Sequence, residues 1–205
     1  MDDNLVIALF RHGITEENKR KAYLGWSDSP LSKEESASIR PIKQFYDLHF
    51  SSDLARCIHT SRLLFPNKNA ICLSEIREMN FGKWEKKTYG QLENRRDYRR
   101  WLMDPFSNSP PDGELFSTFQ CRVQSGWNKI VNRMFDAGCS RSAVVTHGGV
   151  IRLLLSEFAP VQKSFWQWAV PHEIGFELIF EKEALRRGER CILLQEVPIT
   201  GKVHG

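Results

Sequence analysis

Nowhere in the 205 residues do two cysteines stand close enough to act together: Cys57, Cys72, Cys121, Cys139 and Cys191 are odd in number, far apart, and form no Cys-x-x-Cys pair. That spacing argues against a disulfide framework and a zinc ribbon, and it fits a reduced cytoplasm. An apolar run of the roughly 20 residues that cross a bilayer is missing. The opening MDDN is acidic and polar, unlike a secretory leader. The expectation is a soluble, unprocessed chain with no membrane partner. Charge of one sign is also scarce: 29 basic against 25 acidic residues leaves +4, too little to indicate a nucleic-acid partner, while a local basic site for an anion stays open. There are no repeats and no low-complexity tracts. With 41% hydrophobic residues the chain can bury a real core, and its length suits one domain over 1–205.

What is present is an alternation of strand and helix signals. Residues 5–10 (LVIALF) run apolar without a break, the mark of a strand buried on both faces of a parallel sheet. Residues 31–48 follow a Gly- and Pro-containing loop and carry Ser32 as an N-cap, acidic Glu34 and Glu35, and spaced apolar residues, which predicts a helix kinked or delayed by Pro41. Residues 51–65 predict a second helix stopped by Pro66, and 70–73 a short strand. The pattern breaks over 77–111, partly helical over 89–102, and the expectation is a lid-like insertion over 77–113. Helical spacing returns over 114–137 and ends near Gly138. A buried strand follows at 141–146, then an apolar helix over 150–158, and 174–181 with 191–197 read as an antiparallel hairpin on a sheet edge. The fold class is α/β: three layers with a mostly parallel central sheet, antiparallel edge strands, and the ligand site at the C-terminal strand ends.

Two of those strand ends carry the same chemistry. LVIALF runs into Arg11-His12-Gly13, and AVVT into His147-Gly148-Gly149. A histidine after a strand is usually an ordinary loop residue, but two of them on parallel central strands converge in one crevice. Arg56 lies in the first turn of the 51–65 helix, where the helix dipole opposes a cation by a few tenths to about 1 kcal/mol. It is either a solvated, snorkelling side chain or one arm of an anion site shared with Arg11 and a helix N-terminus.

FRHGITEEN (10–18), YLGWSDSPLS (23–32), SSDLARCIHTS (51–61), REMNFGKWE (77–85), PPDGE (110–114) and VVTHGGVIR (144–152) together resemble the ordered motifs of the histidine phosphatase superfamily, the phosphoglycerate-mutase-like group. The stretch from Phe81 to Glu114 is most similar to the branch that holds alpha-ribazole phosphatase and small broad-specificity phosphatases. The resemblance implies a metal-independent phosphoryl relay without a cofactor. His12 is then the nucleophile, and Arg11, Arg56, His147 and Asn18 hold the phosphoryl oxygens. Glu78 is the general acid and later the base toward water. The implied substrate is a small-molecule phosphomonoester, with alpha-ribazole 5'-phosphate, and so cobalamin biosynthesis, as the family-level choice. The alternatives are a phosphoglycerate-type mutase and an idle phosphate-binding module, and the chain is expected as a monomer or homodimer. Neighbouring Glu75 and Glu85 compete with Glu78 for the acid role. Lys86, Leu115 and Glu35 depart from the usual family pattern near the lid. The lid segment RRDYRRW (95–101) reads as a single-strand platform, as a solvated helical face with Tyr98 and Trp101 inward, or as a contact to the far end of a substrate. Trp166 and Trp168 read as packing residues.

Overall fold

In the computed structural model, which describes residues 4–199, β1 (Asn4–Arg11) lies deep in a six-stranded sheet. Its side chains alternate between two cores. Leu5, Ile7 and Leu9 face a large cluster, and Ala8 and Phe10 face a smaller one. An apolar run without alternation is the expected result when both faces are covered. The turn after β1 is closed by the short helix α1 (Glu16–Lys19), capped by Thr15 and Asn18.

The predicted helix over 31–48 is corrected by the structure. Only α2 (Lys33–Ser36) is helical. The chain then runs irregularly through Pro41, and β2 (Leu48–Ser52) begins where the helix was to end. A proline in a helix interior costs about 3 kcal/mol, and no continuous apolar stripe offsets it here. The start of the 51–65 helix is corrected as well. Ser51 and Ser52 are buried strand residues, and α3 spans Ala55–Leu64. Its first amide is satisfied from afar, by the Asp28 carboxylate at 3.2 Å.

A short edge strand, β3 (Ile71–Leu73), precedes the excursion that holds α4 (Tyr89–Leu92) and α5 (Arg96–Met103). That excursion has an aromatic cluster of its own. Trp84, Leu92, Tyr98 and Trp101 are buried there, and Tyr23 packs against them. Tyr98 and Trp101 do point inward, as one reading of the basic segment required. Lys86 has φ of +61°, the left-handed region that a glycine adopts most readily. The long helix α6 (Phe116–Ala137) ends on left-handed Gly138, as its sequence predicts.

Then come β4 (Arg141–Thr146), α7 (Gly148–Phe158), β5 (Ile174–Glu181), α8 (Lys182–Arg186) and β6 (Leu193–Pro198). The sheet order is β3-β2-β4-β1-β5-β6. The first four strands pair in parallel, and β5 and β6 add an antiparallel edge. The hairpin is thus present, with α8 inserted in its connection. Helices α6 and α7 cover one face and α3 the other, which makes three layers. Among the described residues no helix is long and apolar enough to cross a membrane.

Candidate active site

Parallel register brings the two histidines together. Arg11 at the end of β1 pairs with Thr146 at the end of β4, and the His12 amide donates to the Thr146 carbonyl at 2.9 Å. His12 and His147 are the next residues out, with ring centroids 5.2 Å apart. From the other side α3 grips the turn: the Gly13 amide donates to the Thr60 hydroxyl, which donates to the Arg56 carbonyl.

His12 is buried, and its Nδ1 lies 2.8 Å from the Gly13 carbonyl. A carbonyl only accepts, so Nδ1 carries the proton and Nε2 keeps its lone pair. Burial first, then Arg56, His172 and Arg11, hold the ring's pKa well below that of an ordinary histidine. An unprotonated ring nitrogen among cations is the state a nucleophile needs.

His147 stands at the N-cap position of α7, with its ring turned away from the helix amides. The Arg56 Nη2 donates toward its Nδ1 at 3.2 Å, so Nε2 carries the proton and donates to the Ser52 hydroxyl at 2.9 Å. Its pKa is also pushed well below the ordinary value, by burial and then Arg56.

Arg56 is fully buried and is neither solvated nor snorkelling. Its Nη1 donates to Ser27 and its Nη2 to Gly25, both carbonyls, at 2.9 and 2.5 Å. Arg11 donates from Nη1 to the Val170 carbonyl at 2.6 Å, and burial lowers its pKa to about 10, which leaves it cationic at neutral pH. Among the described residues no carboxylate is ion-paired to either guanidinium. Each also has a buried Nε without a hydrogen-bond partner. Two uncompensated cations with spare donors beside a helix N-terminus form an environment that favours an anion.

Of the three competing glutamates, Glu75 bonds Lys129 on the surface, and Glu85 accepts from the amides of Gly25, Trp26, Ser27 and Phe81. Glu78 alone reaches α7: its Oε2 accepts from the Gly149 amide at 2.9 Å, and its Oε1 from the Met79 amide. A Cβ on residue 149 would overlap this carboxylate, so only a glycine lets Glu78 keep this position against the helix start. Asn18 is engaged within its own turn, where its Oδ1 accepts from the Thr15 amide and hydroxyl, and only its NH2 end could face an anion.

Three contributors escape sequence reasoning. His172 lies against His12 with ring centroids 5.5 Å apart, donates from Nδ1 to the His12 carbonyl at 2.6 Å, and is held at a pKa of about 3 by burial. Ser52 partners His147. Arg122 on α6 pairs with partly buried Glu114 at 2.6 Å and donates to the carbonyls of Glu75, Arg77 and Glu78. None of the three has a local signal, because each is defined by a partner more than forty residues away.

The family model described as the histidine phosphatase superfamily (branch 1) matches residues 7–179. The adenosylcobalamin/alpha-ribazole phosphatase of Salmonella typhimurium is 30% identical over 174 residues, covering 79% of this chain and 84% of that one. A 2,3-bisphosphoglycerate-dependent phosphoglycerate mutase of Rhizobium etli is 29% identical over 167 residues, 72% of this chain and 77% of its own. The crystal structure of the alpha-ribazole phosphatase from Shigella flexneri superposes with a TM-score of 0.79 at 23% identity, covering 98% of each chain, a likeness that concerns the fold.

Proposed function

Since the chain belongs to the histidine phosphatase superfamily, branch 1, and is a phosphatase, we propose that it hydrolyses a small-molecule phosphomonoester through a phosphorylated His12. The observation that carries this reading is the neutral His12 ring, with its Nε2 lone pair free, among Arg11, Arg56 and His147. In the first step Nε2 attacks phosphorus, the bond from phosphorus to the alcohol oxygen breaks, and Glu78 in its acid form gives that oxygen a proton. In the second, the Glu78 carboxylate takes a proton from water, the water oxygen bonds phosphorus, and the phosphorus–Nε2 bond breaks to release inorganic phosphate and neutral His12. Arg11, Arg56 and the NH2 of Asn18 bind the equatorial oxygens and stabilise the charge spread over them. His147 joins them when its proton moves to Nδ1 and the Arg56 Nη2 turns from that nitrogen to a phosphoryl oxygen. The Ser52 hydroxyl permits this because it donates to Nε2 as readily as it accepts.

Residues 77–113 are read as a lid over this site within a single domain. Alpha-ribazole 5'-phosphate is the candidate substrate, supported by the Salmonella relative, and it would place the enzyme in cobalamin biosynthesis. Free thiols throughout the described residues suit the cytoplasm.

The test is initial rates of wild type and His12→Ala on p-nitrophenyl phosphate, alpha-ribazole phosphate and 3-phosphoglycerate, with chelator and without added metal, alongside acid-labile phosphoenzyme trapping. Turnover and phosphoenzyme should both vanish with His12. Unchanged turnover in the variant would refute the mechanism. No turnover of wild type on any member would favour a mutase that needs an acceptor, or an idle module.

A further inference from the structure

The stretch WAVPHE (168–173) leads from the turn after α7 into β5 without regular structure, and three alternate residues of it reach toward the active site. The Trp168 carbonyl accepts from the Arg152 Nε at 3.1 Å and the Val170 carbonyl from the Arg11 Nη1 at 2.6 Å, while the His172 Nδ1 donates to the His12 carbonyl at 2.6 Å. Pro171 fixes its own φ and keeps Val170 extended, which favours this alternation. Trp168 is buried, as its sequence suggested, whereas Trp166 just upstream is half-exposed on the wall of a cavity. The far end of the strap is tied as well, since the Glu173 carbonyl accepts from the Ile199 amide at 2.9 Å.

The strap secures the peptide group that joins His12 to Gly13. The N–H of that group donates to the Thr60 hydroxyl at 2.9 Å, and its carbonyl accepts from His172. Among the described residues the His12 carbonyl accepts no other hydrogen bond. The next carbonyl, that of Gly13, holds the His12 Nδ1 and so sets the direction of Nε2. Gly13 has no Cβ to limit its torsions, so a 12–13 peptide freed at one end can rotate and carry the Gly13 carbonyl with it. A reacting atom misplaced by about 1 Å can cost on the order of 10²-fold in rate. His172 also packs edge to face on the His12 ring, and it supplies its hydrogen bond as a neutral imidazole, without a further cation beside the nucleophile.

We infer that His172 is a positioning residue for the phosphoryl transfer, which holds the His12 carbonyl and thereby fixes the peptide that orients the nucleophilic ring. It acts through His12 and not on the phosphoryl group. The inference rests on the phosphatase reading for its chemistry and on the bonds of the 12–13 peptide for its geometry. An asparagine at 172 can set its side-chain NH2 close to where Nδ1 stands. A leucine fills similar space with no donor, and a glutamine carries the donor one carbon too far.

The experiment compares wild type with His172→Leu, His172→Gln and His172→Asn in p-nitrophenyl phosphate turnover and in competitive inhibition by inorganic phosphate. His172→Leu is expected to lower kcat by about 10- to 100-fold, with KM and the phosphate inhibition constant within about threefold. His172→Gln should lose at least tenfold, and it stands in if the leucine variant is too unstable to assay. His172→Asn should return to within about threefold of wild type. Wild-type kcat in the leucine or glutamine variant, an asparagine variant as slow as leucine, or a loss confined to KM would overturn the inference. Nitrogen-15 NMR of the histidine rings in phosphate-free buffer, with the His12 signals assigned by their absence in His12→Ala, reads the same geometry without turnover. Wild type and His172→Asn should show one His12 tautomer, protonated at Nδ1, and the leucine or glutamine variant a mixture. An unmixed tautomer in the leucine or glutamine variant counts against His172 whatever the chemistry, and a mixture there supports the positioning role even if wild type hydrolyses nothing.

Discussion

The carboxylate of Glu78 is held from two sides by backbone amides, one on each oxygen, and a glutamine there keeps one contact through its carbonyl oxygen, sets its NH2 against the other amide, and has no proton to give. Glu78→Gln is expected to slow alkyl phosphates by about 10² to 10⁴, the usual span for a general acid, and p-nitrophenyl phosphate much less, since its leaving group needs little protonation. Comparable losses on both substrates would remove Glu78 from the acid role. Gly149→Ala tests the same carboxylate from the opposite side. The added methyl meets the tip of a flexible side chain rather than fixed backbone. The variant should therefore fold with a thermal midpoint close to wild type and yet show the same leaving-group dependence as Glu78→Gln. A large drop in that midpoint with unaltered substrate preference would mean that the helix start moves instead of the acid.

At the scale of elements, the position of Glu78, the proposed acid, depends on α6 as much as on its own loop. Arg122 sits in the second turn of that helix and ties down the carbonyls of Glu75, Arg77 and Glu78, with Glu114 as its ion-pair partner. The Trp26 indole adds a further hydrogen bond to the Glu78 carbonyl. A lysine at 122 keeps a charge for Glu114 but has no planar fork to span three carbonyls. Arg122→Lys is expected to cost about 1 to 3 kcal/mol of stability from lost buried hydrogen bonds. It should also lower kcat for alkyl phosphates roughly tenfold, with p-nitrophenyl phosphate less affected. Urea unfolding and the two-substrate comparison separate these effects. Equal kcat losses on both substrates would assign Arg122 to the general fold alone.

Across the whole molecule, the site places three neutral imidazoles in the interior, and this couples its electrostatics to stability. His12 and His147 are held well below 6.5 and His172 at about 3, with burial the first cause in each. A group whose pKa is depressed by folding binds its proton more readily in the unfolded chain. The associated stability is full above the unfolded value, near 6.5, and is lost as pH falls toward the folded values. Each such histidine contributes a slope of about 1.4 kcal/mol per pH unit inside that window, so three together give about 4. With a typical total of about 5–15 kcal/mol, much of the stability present at pH 7.5 should be gone near pH 5. Urea unfolding at pH 7.5, 6 and 5 measures this, and His172→Asn should flatten the slope by about one proton. A stability that is flat from pH 7.5 to 5 would contradict the burial of the three rings.

The sequence by itself determined the central strands and what stands at their ends. An apolar run without alternation requires cover on both faces, and Arg11-His12 and His147 follow directly from such runs. Arg56 was legible as a cation at a helix start, with its two readings open until burial decided between them. Glu78 was separable from Glu75 and Glu85 only by resemblance, and the structure adds the physical difference: contact with the Gly149 amide. Tertiary structure alone decided β2, because buried serines in a parallel strand have the same local signature as helix caps. It alone brought in His172, Ser52 and Arg122, whose roles lie in partners far along the chain. The cavity of about 680 Å³ beside Glu78 and Gly149 belongs there too, since its aromatic wall is assembled from Tyr23, Phe81, Phe116 and Trp166 on separate segments and no one of them encloses a volume.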